Sequence, residues 1–220
     1  MSGNDHTQPT TLVDLLRQRA EAQPDKTAFT FLKDGELEEA SLTYAQLDCQ
    51  ACAIAARLQS ITTPGERALL LYPAGLEFIV AFFGCLYAGV VAVPTYPPRR
   101  RRPDPRFQAI ATDAQAKVVS TTAAIMSDRD ARLKGTSGLA DLHWLATDDL
   151  TTDIADAWRM PDRHGDTLAF LQYTSGSTDT PKGVMVSHKN LVHNLEYIHH
   201  TPHLGTRCVR HRCILATSLS

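Results

Sequence analysis

The chain has 220 residues, 43% hydrophobic and 21% charged, a composition that excludes a disordered or fibrous protein and allows a buried core in one or two domains. Lys and Arg number 22 against 24 Asp and Glu, a net charge of −2, so the basic excess of a nucleic-acid-binding domain is missing. The polar start, residues 1–10, has no apolar run behind a basic stretch and reads as no signal peptide; with five cysteines, a reducing cytoplasm and free thiols are expected.

Leu12, Leu15, Leu16 and Arg19 stand at helical spacing behind Thr10 and Thr11, and Pro24 ends the pattern. Residues 27–32 read as a strand, Asp34-Gly35 as a tight turn and residues 36–42 as the returning strand of a hairpin. Thr43 with Gln46 is a capping box that opens a helix through Leu58, with Leu47, Ile54 and Leu58 on its apolar face. Pro64-Gly65 closes that unit.

Residues 68–72 are a short apolar run of buried-strand type, 75–88 a helix and 90–93 a second such run, which together make a βαβ unit. The apolar stretch 76–93 is read as that helix and strand and not as a membrane span, because Glu77 stands at its start and glycine and proline interrupt it. Residues 94–105 hold five of the twelve prolines and an arginine run at 99–102. They read as an exposed connector with a solvated basic surface, the other reading being a contact with an acidic partner or a phosphate-bearing ligand. Helix 106–114, strand 117–120, helix 123–133, strand 142–146 and strand 168–173 continue the alternation. The fold class is therefore α/β, a mostly parallel sheet with helices on both faces.

The segment Thr174-Ser175-Gly176-Ser177-Thr178-Asp179-Thr180-Pro181-Lys182-Gly183 follows directly from the last strand, at the edge where open α/β sheets bind ligands. Its five hydroxyl residues and two glycines offer backbone N–H groups and hydroxyl donors to a polyphosphate without side-chain bulk, and Lys182 adds a mobile point charge. It is not a Walker A loop, which ends in Gly-Lys-Ser/Thr, whereas here Pro181 precedes the lysine and Gly183 follows it.

The whole string is more specific than its composition. Leu171-Gln172-Tyr173-Thr174-Ser175-Gly176-Ser177-Thr178, then Thr180-Pro181-Lys182-Gly183-Val184, Ser187-His188 and Asn190-Leu191 resemble the phosphate-loop signature of the AMP-forming acyl ligase superfamily, and more narrowly the fatty acyl-AMP ligases. Tyr72-Pro73-Ala74-Gly75-Leu76, the run from Ala81 to Gly89, and Val93-Pro94-Thr95-Tyr96-Pro97-Pro98-Arg99 are similar to the same branch, so that the resemblance spans about residues 10 to 198. It implies the first part of the large N-terminal domain of the adenylate-forming fold. It also implies a two-step reaction, in which a fatty carboxylate attacks the α-phosphate of Mg-ATP to give an acyl adenylate and pyrophosphate. The acyl group then passes to the phosphopantetheine thiol of an acyl carrier protein, in fatty acid metabolism and in lipid or polyketide synthesis. ATP and Mg2+ are the implied cofactors, with no nucleic acid partner and no membrane span. By the same resemblance Thr174, Ser175, Gly176, Ser177, Thr178 and Lys182 hold the β- and γ-phosphates, Gly183 belongs to the loop, and Lys182 stabilises phosphate charge. Catalysis would come from positioning and electrostatics, since the substrate carboxylate is itself the nucleophile.

Two departures from the family pattern carry expectations. Family loops have glycine where this chain has Asp179, and like charges about 5 Å apart repel by roughly 3 kcal/mol at an effective dielectric of about 20, before screening, so ATP binding is expected to be weakened. Residues 199–220 carry Arg207, Arg210 and Arg212 with no acidic residue after Glu196, and they read as a divergent, His-rich tail in a different frame, after a partial adenylation domain at 1–198. The family's ribose-binding carboxylate, hinge and C-terminal lysine domain are not found, so the chain is expected to be a truncated product that cannot complete the reaction alone. A long-chain acyl-CoA ligase and a non-catalytic nucleotide- or protein-binding module are the alternatives.

Other signals are set aside. Cys49 and Cys52 form a C-x-x-C inside a helix with no second pair nearby, which reads as helix packing and not as a metal or redox site. His199, His200, His203, Cys208, His211 and Cys213 fit no standard zinc spacing. His188 and His193 are read as beginning and lining a helix, and Phe78, Phe82, Phe83 and Tyr87 as helix core in preference to an acyl-chain pocket.

Overall fold

The structure is a computed structural model that describes residues 9–33, 37–98, 104–133, 142–174 and 181–200. Helix α1 (Leu12–Ala22) is opened by a reciprocal capping box between Thr11 and Asp14. Strands β1 (Thr27–Lys33) and β2 (Leu37–Thr43) pair antiparallel into a separate two-stranded sheet; the Asp34-Gly35 turn lies outside the described residues. The capping box expected at Thr43 is present: Gln46 N–H donates to Thr43 Oγ1 at 3.2 Å and Thr43 N–H to Gln46 Oε1 at 2.9 Å, opening helix α2 (Tyr44–Gln59).

The main sheet follows from β3 (Arg67–Leu71), helix α3 (Leu76–Ala88), β4 (Val91–Thr95), helix α4 (Pro105–Asp113), β5 (Val118–Thr121), the short helices α5 (Ala123–Ser127) and α6 (Arg129–Arg132), and β6 (His143–Ala146). After a 3-10 turn (Thr152–Ala157) come β7 (Leu168–Thr174), β8 (Lys182–Ser187) and helix α7 (His188–His200). Strand order is β6-β5-β3-β4-β7-β8, parallel throughout except that β8 runs antiparallel to β7. Both faces of the central strands are buried, as a parallel sheet flanked by helices requires. Ala68, Leu70 and Ala92 face a cluster built with α2 and α3, and Leu69, Leu71, Val91, Val93 and Leu171 face one built with α4 through Phe107, Ile110 and Ala111.

The stretch 76–93 is a buried helix and strand, and among the described residues no helix is long and apolar enough to cross a membrane. The aromatics of α3 belong to the core: Phe82 and Tyr87 are fully buried, and Phe82 stacks edge-on to Phe170 of β7 at 5.5 Å between ring centroids. The connection from β6 back across to β7 is pinned by Trp158, whose indole N–H donates to Tyr87 O at 2.8 Å while Arg17 stands over its ring at 5.0 Å.

Three expectations need correction. The helix expected over 123–133 is two short ones, because Asp128 leaves helical geometry (φ −104, ψ 6) and turns its carboxylate to Arg132 at 3.2 Å, in keeping with the low helix propensity of aspartate. The connector expected from Pro94 begins later, since Pro94 is buried within β4 opposite Leu70. The arginine run lies outside the described residues. Lys182 and Gly183, read as loop, are the first two residues of β8.

Candidate functional site

The site is built at the carboxyl edge of the parallel strands, where β7 leaves the sheet. Its ladder with β8 runs from Leu168 opposite Ser187 to Tyr173 opposite Gly183 and Thr174 opposite Lys182. The hydroxyl- and glycine-rich segment is therefore the connection of a β-hairpin, and Thr174 and Lys182 face each other as its last rung. In an antiparallel pair, residues directly opposite share a face, so the Thr174 hydroxyl and the Lys182 ammonium stem project to the same side. Both residues are exposed. Of the expected phosphate-binding residues, Thr174, Lys182 and Gly183 are thus brought together; Ser175, Gly176, Ser177 and Thr178, with Asp179, lie outside the described residues.

The rung beneath is held from below. Tyr173 is buried on the α4 face and its phenol donates to Asp113 Oδ2 at 2.5 Å, at the last residue of α4. Burial first, and then Asp113, push the phenol pKa well above its ordinary value, so it stays a donor. The edge itself is tied by the Thr121 hydroxyl, which donates to Leu71 O at 2.7 Å, and by the Tyr72 and Thr147 hydroxyls, 2.8 Å apart.

At the end of β8, just before helix α7, the Ser187 hydroxyl accepts from Asn190 N–H at 3.3 Å. His188 N–H donates to Thr167 O at 3.1 Å and Lys189 N–H to Gly165 O at 2.6 Å, which docks the helix start on the turn before β7. The His188 ring is buried, only 3% exposed, with its Nδ1 unpartnered among the described residues. Burial, and then the Arg163 guanidinium, push its pKa down to about 4, Asp14 opposing them. Arg163 in turn donates to Asp14 Oδ1 at 3.0 Å and to Thr11 Oγ1 at 3.3 Å, joining the start of α1 to the start of α7. Burial would raise the Asp14 carboxyl, but the Thr11 hydrogen bond and Arg163 more than offset it and hold the pKa below its ordinary value. His188 is a packed residue at a helix start and His193 lies exposed along the same helix.

The cysteines of the described part are free. Cys52 and Cys85 are buried, and burial pushes each thiol up to about 12, which makes them poor nucleophiles. Among the described residues no three His, Cys, Asp or Glu side chains group as a metal site.

Comparison with known proteins agrees with this architecture. The family model for AMP-binding enzymes matches residues 16–219. The chain is 50% identical over 192 residues, 86% of its length, to the medium-chain-fatty-acid acyl-carrier-protein ligase JamA of Moorena producens, and covers 32% of that protein. It is 40% identical over 189 residues to a long-chain-fatty-acid AMP ligase of Mycobacterium tuberculosis, again covering 84% of itself and 32% of the relative. Among solved structures, that of the fatty acyl-adenylate ligase from L. pneumophila with acyl adenylate and pyrophosphate superposes with a TM-score of 0.80 and 41% identity, over 93% of this chain and 35% of that one. The chain spans about a third of the length of these relatives.

Proposed function

The chain belongs to the AMP-binding enzyme family, and from that premise we propose that it supplies the polyphosphate-binding part of a ligase that activates a fatty acid as its acyl adenylate for transfer to an acyl carrier protein. The observation that carries this reading is the hairpin mouth at Thr174 and Lys182, where a Ser/Thr/Gly segment leaves the carboxyl edge of a parallel sheet. The fatty substrate and the carrier-protein acceptor are supported by what the relatives' names give for those proteins.

In the first step a carboxylate oxygen bonds to the α-phosphorus while the bond to the β-phosphate oxygen breaks, and pyrophosphate leaves with the electron pair. In the second, the phosphopantetheine sulfur bonds to the acyl carbon and AMP leaves, the thiol proton passing to solvent. The chain's own contribution to the first step is charge and position. Thr174 offers a hydroxyl and Lys182 an ammonium group from a backbone that the β7–β8 ladder already fixes, so the two residues stand opposite each other before phosphate arrives. Lys182 would then stabilise the charge that builds on the departing pyrophosphate. Mg2+ bound with ATP would supply neutralisation of phosphate charge beside the hydroxyl of Thr174 and the ammonium group of Lys182.

Calorimetric titration of the chain tests the binding part: ATP and pyrophosphate should both bind in the presence of Mg2+ and should compete. Absence of binding by both removes the reading. Fatty-acid-dependent ATP–pyrophosphate exchange tests the chemistry, and exchange by the 220-residue chain would overturn the expectation that it cannot turn over alone.

A further inference from the structure

We propose that Asp113 is a positioning residue for the phosphate hairpin, acting through Tyr173. The inference deepens the reading of the hairpin as a polyphosphate site and rests on it for its consequence, though not for its geometry. Asp113 ends α4, a helix anchored at its other end by Asp104, which accepts from Phe107 N–H at 2.9 Å, and seated on the sheet by Phe107, Ile110 and Ala111. Its carboxylate is thus carried by a rigid, packed element, 60 residues away in sequence from the phenol it accepts from.

The ring that this bond holds lies against Gly183 of β8. A Cβ at that position would come within 2.9 Å of Tyr173 Cζ, so only glycine lets the strand pass this close to the ring. Asp113 therefore fixes the ring, and the ring sets how closely β8 can approach β7 at the rung Tyr173–Gly183. The next rung is Thr174–Lys182, about 3.3 Å further along the strand, from which the phosphate segment springs. Removal of the acceptor takes the partner from the hydroxyl of a buried residue at a part-buried position, so the ring loses its anchor and is free to shift toward another partner.

The test compares Asp113→Ala, Tyr173→Phe, their double variant, and Asp113→Asn, which keeps an acceptor oxygen. Amide hydrogen exchange at Thr174 and Lys182 is read alongside ATP affinity by calorimetry. Asp113→Ala and Tyr173→Phe should each speed exchange on these two residues about tenfold while β3 and α2 stay unchanged. Each should also weaken ATP binding about fivefold. The double variant should be no worse than either single one, since both remove the same bond. Asp113→Asn should stay close to the parent chain, an outcome that a purely structural role for the charge would not give. Tyr173→Phe removes a single oxygen and keeps the question answerable if Asp113→Ala fails to fold. Unchanged exchange at Thr174 and Lys182, or additive effects in the double variant, would overturn the proposal. If the parent chain binds no ATP, the functional reading falls, and the exchange measurements still decide the role of Asp113.

Discussion

Tyr173 and Gly183 are ladder partners in β7 and β8, and the tyrosine ring occupies the space a side chain at 183 would need. A Cβ there would stand 3.1 Å from the phenol oxygen and 3.2 Å from Cε1, and the ring cannot simply swing away because Asp113 holds its hydroxyl. Gly183→Ala is expected to cost about 1–3 kcal/mol by overpacking, a fall in Tm of a few degrees on thermal unfolding. An unchanged Tm would mean that the ring moves freely and that the Asp113 bond is weak.

Gly84 poses the same question inside the core, where α3 crosses α2. A Cβ at 84 would lie 2.5 Å from Ile54 Cγ2 and 2.7 Å from Ile54 Cβ. Alanine gains about 1 kcal/mol of helix propensity over glycine, but a β-branched neighbour has little rotamer freedom with which to yield, so the clash should win. Gly84→Ala is expected to be destabilising by about 1–3 kcal/mol in urea unfolding. Gly84→Ala combined with Ile54→Ala should be less destabilised than the sum of the two single variants, because the second change opens the space the first one needs.

What could be read in the sequence divides along the range of the interactions. The Thr43–Gln46 capping box was legible because its two bonds span three residues, and α3 with its flanking strands because their extensive burial leaves long apolar runs broken only by a few punctuating residues. Strand β8 was not legible. It is an edge strand among the described residues, with Val184 and Met185 both exposed, so it shows no alternation of buried and exposed positions, and the phosphate motif absorbed its first two residues. Thr174, Lys182 and Gly183 could be named from the motif, but not that Thr174 and Lys182 close a hairpin. The partners that hold the site, Asp113 for Tyr173 and Arg163 for Asp14, are 60 and 149 residues away, and no local pattern encodes such a pairing.

His188 gives the fold a pH dependence of definite sign. Its folded pKa, about 4, lies below the ordinary 6.5 because burial and Arg163 disfavour the imidazolium. Between these values the unfolded chain binds the proton and the folded one does not, so stability is fully present above pH 6.5 and is lost as pH falls toward 4. The loss from this group is about 3 kcal/mol at most. Asp14, whose carboxyl is held below 3.8, adds a further loss at lower pH, where it protonates. Urea unfolding of His188→Gln at pH 7, 5.5 and 4.5 (roughly spanning the window) should show a flatter dependence than the parent chain. Equal slopes would mean that the ring takes up its proton as readily in the fold as in the unfolded chain.

The charge at the hairpin mouth can be tested by two variants that act in opposite directions. Lys182 is exposed and its backbone is fixed opposite Thr174, so its removal takes away a cation without disturbing the core, and Tm should change little. If triphosphate binds here, Lys182→Ala should weaken ATP binding about tenfold, a loss of about 1.4 kcal/mol, typical of one charge-assisted contact in partly solvated surroundings. Lys182→Arg should restore only part of it, since the planar guanidinium keeps the charge but not the compact ammonium geometry. Asp179 lies outside the described residues, and the argument for it comes from its place in the segment: a carboxylate among phosphate ligands repels the triphosphate, by about 1–2 kcal/mol after screening. Asp179→Gly should therefore tighten ATP binding by roughly five- to thirty-fold. Both effects are electrostatic and should shrink as salt is raised, which a change in hairpin structure would not reproduce. Loss of ATP affinity in Lys182→Ala that is independent of ionic strength would point to a packing role for the lysine stem in place of a charge role.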